Sequence, residues 1–216
     1  MRNSMERSAI SEHMEENIWL YAICLVCFFT GIVIGIYTVK YMGAIEKKDL
    51  TNYFVTFETS LKSTAINRKY ILLEILKNNI PIILGIWFLG ITIVGIPVIL
   101  IIDIIKGFTL GFTIAFIMDS LGYKGIWFIL MGVVPQNIFY VPCILVGSVL
   151  AIRLSVTKLK DKFMKQPGYR YIDNSVFNYS IVFVIICLCM MFGFMYELYI
   201  TPGAIKAIVM KIGSGI

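Results

Sequence analysis

Residues 133–142 read VVPQNIFYVP and lie within one of the most apolar stretches of the chain. Proline has no N–H, so Pro135 removes the intrahelical partner of the Met131 carbonyl, and Pro142 does the same to Ile138. The residue before a proline is pushed toward extended geometry, which weakens the helix at Val134 and Val141 as well. In lipid, a freed backbone group is costly unless something pairs with it. Gln136 and Asn137 supply amide donors and acceptors at that depth. The expectation is a span of two half-helices joined by an irregular middle. Transporters build midplane substrate sites from such breaks; a structural span uses the amides to repair its backbone and to lock neighbouring helices. Gly95-Ile96-Pro97 suggests a comparable interruption further upstream.

The surrounding composition says why this segment is expected in a membrane. The chain has 216 residues, 59% hydrophobic and 15% charged, against about 25% charge in an ordinary soluble domain. Five apolar spans emerge, at 18–39, 80–102, 107–121, 125–152 and 176–200. All but the third exceed the roughly 20 residues that a helix needs to cross the hydrocarbon. The expected fold is therefore all-α and polytopic, with about five transmembrane helices, some broken by proline. The layout is an N-terminal segment (1–17), the first span (18–39), a loop (40–79), a core holding spans two to four (80–152), a basic loop (153–175), the fifth span (176–200) and a tail (201–216). Residues 18–39 are too long for a signal-peptide core and no small-residue cleavage site follows, so the first span is expected to remain uncleaved.

Charge is placed sparingly. Asp103 and Lys106 are expected at the corner between the second and third spans, and Glu197 near the end of the fifth, leaving every span's middle free of ionisable groups. The net charge of +6 comes from Lys and Arg between apolar runs, so lipid headgroups rather than nucleic acid are the expected partners. The basic residues are nearly balanced between the two faces; the dense cluster from 153 to 170 mildly favours an inside N-terminus. In the first loop, Leu50, Tyr53, Phe54, Phe57 and Leu61 follow helical spacing, with Asp49 placed to cap the start. This predicts an amphipathic helix that lies on the bilayer, packs on the bundle or meets a partner. Ile205, Ile208, Val209 and Ile212 give the tail a weaker amphipathic stripe.

Small residues predict close helix packing. Gly31-x-x-x-Gly35 and Gly107-x-x-x-Gly111 are both GxxxG patterns in apolar surroundings, and self-association into a homodimer through one such face is a further expectation. Trp19, Trp87 and Trp127 each sit near a span start, as interfacial anchors do. The five cysteines lie inside apolar runs, so Cys24-x-x-Cys27 is read as packing rather than redox chemistry. Enzyme signatures are missing: His13 is the only histidine, and no HExxH, GxSxG or P-loop pattern occurs. No catalytic activity, cofactor or metal is expected.

The ordered combination Gly90-Ile-Thr-Ile-Val-Gly-Ile-Pro97, Lys106-Gly-Phe-Thr-Leu-Gly-Phe112 and Val134-Pro-Gln-Asn137 with Pro142 resembles the stage II sporulation protein M family. Lys47-Lys-Asp-Leu50 followed by Tyr53-Phe54 is also similar, and the likeness covers nearly the whole chain. The wider family often shows Pro-His-Gly and then Glu-x-Pro; Gln136-Asn137 and Tyr140 stand at those positions here. That departure fits a non-catalytic role. The resemblance implies residence in the mother-cell membrane at the engulfing septum and a cytoplasmic N-terminus. It also implies a scaffold that anchors the peptidoglycan-degrading stage II sporulation proteins P and D. On that reading the first loop faces outward, with Asp49, Tyr53, Phe54 and Phe57 as candidate partner contacts. Gly95, Pro97, Lys106, Gly107, Gly111, Pro135, Gln136, Asn137 and Pro142 are the candidate structural motif. A small-solute permease is the alternative function.

Overall fold

The structure, a computed structural model, describes residues 17–63, 68–164 and 169–213, with side chains outside 53–55, 57–63, 161–164, 169–175 and 208–213. Every regular element among the described residues is helical. The order is α1 (Ile18–Tyr41), α2 (Ala44–Ser63), α3 (Arg68–Ile91), α4 (Gly95–Leu121), α5 (Tyr123–Phe128), a π-helical turn (Ile129–Val133), α6 (Val134–Met164), α7 (Tyr169–Tyr199) and α8 (Thr201–Gly213). Five stretches are long and apolar enough to cross a membrane: Ile18–Tyr41, Arg68–Ile91, Gly95–Leu121, Tyr123–Lys160 and Val176–Ala207. Large apolar side chains such as Phe29, Val33, Phe88 and Phe192 face outward, as they do when lipid is the solvent. The all-α, five-span expectation holds.

The closest packing joins α1 to α4. A Cβ added at Gly31 would strike the Ile104 carbonyl, and one at Gly35 the Phe108 carbonyl. Reciprocally, Gly107 sits on the Phe28 carbonyl and Gly111 on that of Ile32. Residue numbers rise together along both helices, so the two GxxxG patterns form one parallel, backbone-to-backbone contact within the chain. These glycines are consumed internally, and the ground they offered for self-association goes with them. α6 runs through the middle of the bundle, touching α1, α3, α4 and α7. Val149 and Ala151 are fully buried there, in a core shared with Ile86, Ile99 and Met190.

Several boundaries differ from the sequence reading. The corner between the second and third spans falls at 92–94 rather than at 103–106, and α3 begins at Arg68, inside the stretch read as loop. Gly95-Ile96-Pro97 does not interrupt a span; it opens α4. Pro97 is tolerated in this first turn because the N–H it lacks would have no intrahelical acceptor. Gly95 is required by the tightness of the reversal, since a Cβ there would meet the Leu89 carbonyl. The third span, expected to be short, becomes a 27-residue helix. The carbonyls ending α3 are capped from α6: Ser155 Oγ lies 3.0 Å from the Gly90 oxygen and 2.9 Å from that of Thr92, and Lys158 Nζ donates to Ile91 O at 3.1 Å. A cation at a helix C-terminus is favourably placed against its dipole.

The fourth span is not two half-helices. Helical geometry continues from Tyr123 to Met164, and the lost bond of Pro135 is accommodated by the π-helical turn that ends at Val133, two residues before it. One residue is looped out in such a turn, which shifts the hydrogen-bond register so that Val134 N–H bonds Ile129 O. Asn137 Nδ2 donates to Val133 O at 2.7 Å, and the Tyr196 hydroxyl reaches the Met131 carbonyl at 3.4 Å. The freed carbonyl expected at Met131 is thus met from another helix. The discontinuity that does exist lies at Ile200, between α7 and α8, two residues before Pro202.

Candidate functional site

Ionisable groups enter the bundle interior through α4. Ile99, Asp103, Gly107 and Gly111 recur every four residues and are all buried, so Asp103 lies on the same ridge as the glycines that meet α1. It is 0% exposed, accepts a 2.7 Å hydrogen bond from Ser148 Oγ of α6, and has Cys24 of α1 beside it. Its second oxygen, Oδ2, has no hydrogen-bond partner among the described residues. Neither Asp103 nor Lys106 is a corner residue, and the expectation that no span carries a charge in its interior is overturned.

One turn along, a second group forms. The Tyr140 hydroxyl of α6 donates to Glu197 Oε2 of α7 at 2.6 Å, and Tyr140 is itself buried. Lys106 acts on Glu197 electrostatically but at longer range; the salt bridge found among the described residues joins Lys47 and Asp119 instead, at 2.7 Å. Helix α7 thus sets a carboxylate against Tyr140 of α6.

A cavity of about 470 Å³ lies beside Glu197. Gln136, Thr113 and Thr201 give it polar groups, Phe112, Phe116 and Phe128 give it aromatic walls, and Leu50 brings α2 onto it. Gln136 Oε1 and Thr201 Oγ1 are buried there with no hydrogen-bond partner among the described residues. Helix α2 reaches the site because Lys47 pairs with Asp119 near the end of α4, and α8 because Ile205 packs against Gly132 of the π-helical turn. Among the described residues no group of three or more His, Cys, Asp or Glu could hold a metal.

The sequence-derived motif residues divide accordingly. Gly107 and Gly111 hold α1, and Gly95 and Pro97 shape the corner. Pro135 and Asn137 serve the π-helical turn, whereas Pro142 lies within α6 away from it. Lys106 acts on Glu197 from beyond ion-pair distance, and Gln136 lies on the cavity wall. Asp49 is exposed in the interior of α2, which starts at Ala44, so it caps nothing. The side chains of Tyr53, Phe54 and Phe57 lie outside the described residues. Sequence reasoning missed Ser148, the burial of Asp103 and the pairing of Glu197 with Tyr140. The four-residue recurrence through Asp103, Gly107 and Gly111 was the signal that could have found one of them.

A five-span helical bundle with a parallel glycine contact and a polar interior defines a multi-pass membrane protein. A family model described as stage II sporulation protein M matches residues 24–202, and the chain belongs to that sporulation family. No curated relative and no solved structure matches it.

Proposed function

We propose that this membrane protein is a non-catalytic scaffold that anchors and localises the peptidoglycan-degrading stage II sporulation proteins D and P during forespore engulfment. Family membership supports the setting. The single observation that supports the mechanism is the meeting of α2 and α8 at the Gly122 end of the bundle, beside the Lys47–Asp119 bridge. Two short helices gathered at one end of five spans offer a wall-directed partner a surface. With a cytoplasmic N-terminus, that end faces outward, as the function requires.

Alanine at Asp49, Tyr53, Phe54 and Phe57 tests the reading by co-purification of the two hydrolases. Capture is expected to fall at least fivefold while membrane insertion and abundance persist. Undiminished capture would remove α2 from the partner surface. A second reading, small-solute permeation, is favoured by the cavity at Gln136 and Glu197. Solute flux in proteoliposomes that disappears with Glu197→Ala, in a protein still correctly inserted, would replace the scaffold with a transporter.

A further inference from the structure

The cavity beside Glu197 is amphipathic, and its two sides ask for different things. Thr201 is 8% exposed and its Oγ1 has no hydrogen-bond partner among the described residues; Gln136 Oε1 is in the same position. Glu197 engages Tyr140 through Oε2, while Lys106 stays beyond ion-pair distance. Around these three side chains no cationic donor among the described residues lies within hydrogen-bond distance, and the charge of Lys106 reaches Glu197 only from further off. A half-buried carboxylate with one donor, beside buried oxygens with none, is costly to maintain, more so in a low-dielectric bundle. The remaining wall is apolar and includes Phe112, Phe116 and Phe128, and aromatic rings attract cations to their faces. At about 470 Å³ the space is too large for a bare ion and lies within the roughly 300–1,000 Å³ range of small organic ligands.

We propose that this cavity binds a primary ammonium carried on a short apolar chain, with Glu197, Gln136 and Thr201 holding the head and the phenylalanine wall taking the chain. Two sources supply that chemistry, the headgroup amine of an aminophospholipid and a free alkylamine. Leu50 of α2 lines the same space, so the ligand touches the amphipathic helix as well as the spans. The inference concerns ligand binding by the isolated protein and stands apart from the scaffold reading, which partner capture tests.

The experiment uses the full chain in phosphatidylcholine nanodiscs, with n-octylammonium and n-octanol as probes, retention read by native mass spectrometry and empty discs correcting for partition into lipid. The wild type is expected to retain octylammonium at least tenfold over octanol. Glu197→Gln and Thr201→Val are each expected to reduce that preference below threefold with monodisperse elution unchanged. Thr201→Val removes only an unpaired hydroxyl, so it decides the matter if Glu197→Gln fails to fold. Phosphatidylethanolamine added to the discs displaces octylammonium if the natural source is the lipid headgroup; no displacement assigns the site to a free amine. Equal retention of the two probes, no retention of either, or a preference that survives both substitutions would overturn the proposal.

Discussion

At Gly107 a hydrogen atom is all the space allows, because the Phe28 carbonyl of α1 occupies the place a Cβ would take. Backbone cannot swing aside as a long side chain can. Gly107→Ala is therefore expected to destabilise the protein by about 1–3 kcal/mol, the usual range for overpacking. Gly85 of α3 is the control, since a Cβ there meets nothing within 4 Å. Gly85→Ala is expected to be neutral or to add up to about 1 kcal/mol through helix propensity. Thermal unfolding of the two variants in the same detergent checks the contrast, and equal destabilisation would contradict the packing. Tyr140 and Glu197 give a second test. Tyr140→Phe keeps the buried ring and loses the 2.6 Å hydrogen bond, which should cost about 1–2 kcal/mol between membrane helices. Combined with Glu197→Ala, which leaves no acceptor for the tyrosine hydroxyl, the two losses should add to less than their sum, because they remove one interaction twice. Full additivity would mean that the pair is not coupled. Both sites were partly legible: the glycine spacing could be read from the chain, but pairing Tyr140 with Glu197 joins residues 57 positions apart on different helices.

The helix carrying Pro135 shows how an element can contradict a local reading without contradicting its physics. The proline does remove a hydrogen bond, as the sequence requires, but a π-helical turn accommodates the loss and the helix continues. Pro135→Ala is expected to leave the protein folded and to raise amide-exchange protection at residues 136–138 as an ordinary helical ladder is restored. Unchanged protection would show that the turn has another cause. The corner at 92–94 was misplaced for a related reason. Hydropathy alone carries the apolar run straight through it, and Asp103 and Lys106 look like natural break points because charge is rare in spans. What decides the matter is tertiary: Ser148 on α6 meets Asp103 and lets the carboxyl stay buried. A sequence window cannot contain that partner.

For the molecule as a whole, five crossings place the α2–α8 end and the corner at residue 93 on opposite membrane faces. Single cysteines in a background without the five native ones report this directly. Ile45→Cys and Tyr123→Cys, both at exposed positions, should label from one side, and Val94→Cys from the other. Lys106→Cys should resist labelling from both, whereas the corner first expected between 102 and 107 would make it reactive. The number of spans and the helical class were readable from composition and run length, since lipid imposes both. Which helix sits at the centre was not, because every span is apolar on all sides and periodicity carries little information about the inner face.

The parallel contact between α1 and α4 has a consequence for biogenesis. Helix α1 leaves the ribosome first, yet the surface that fits its glycines is made only after α2, α3 and most of α4 have been synthesised. At about 5–20 residues per second the wait is on the order of ten seconds. During that interval the glycine groove of α1 is bathed in lipid or shielded by the insertion machinery. A chain truncated before Ile104 would expose it permanently, handing cellular quality control a ready mark of an unfinished protein.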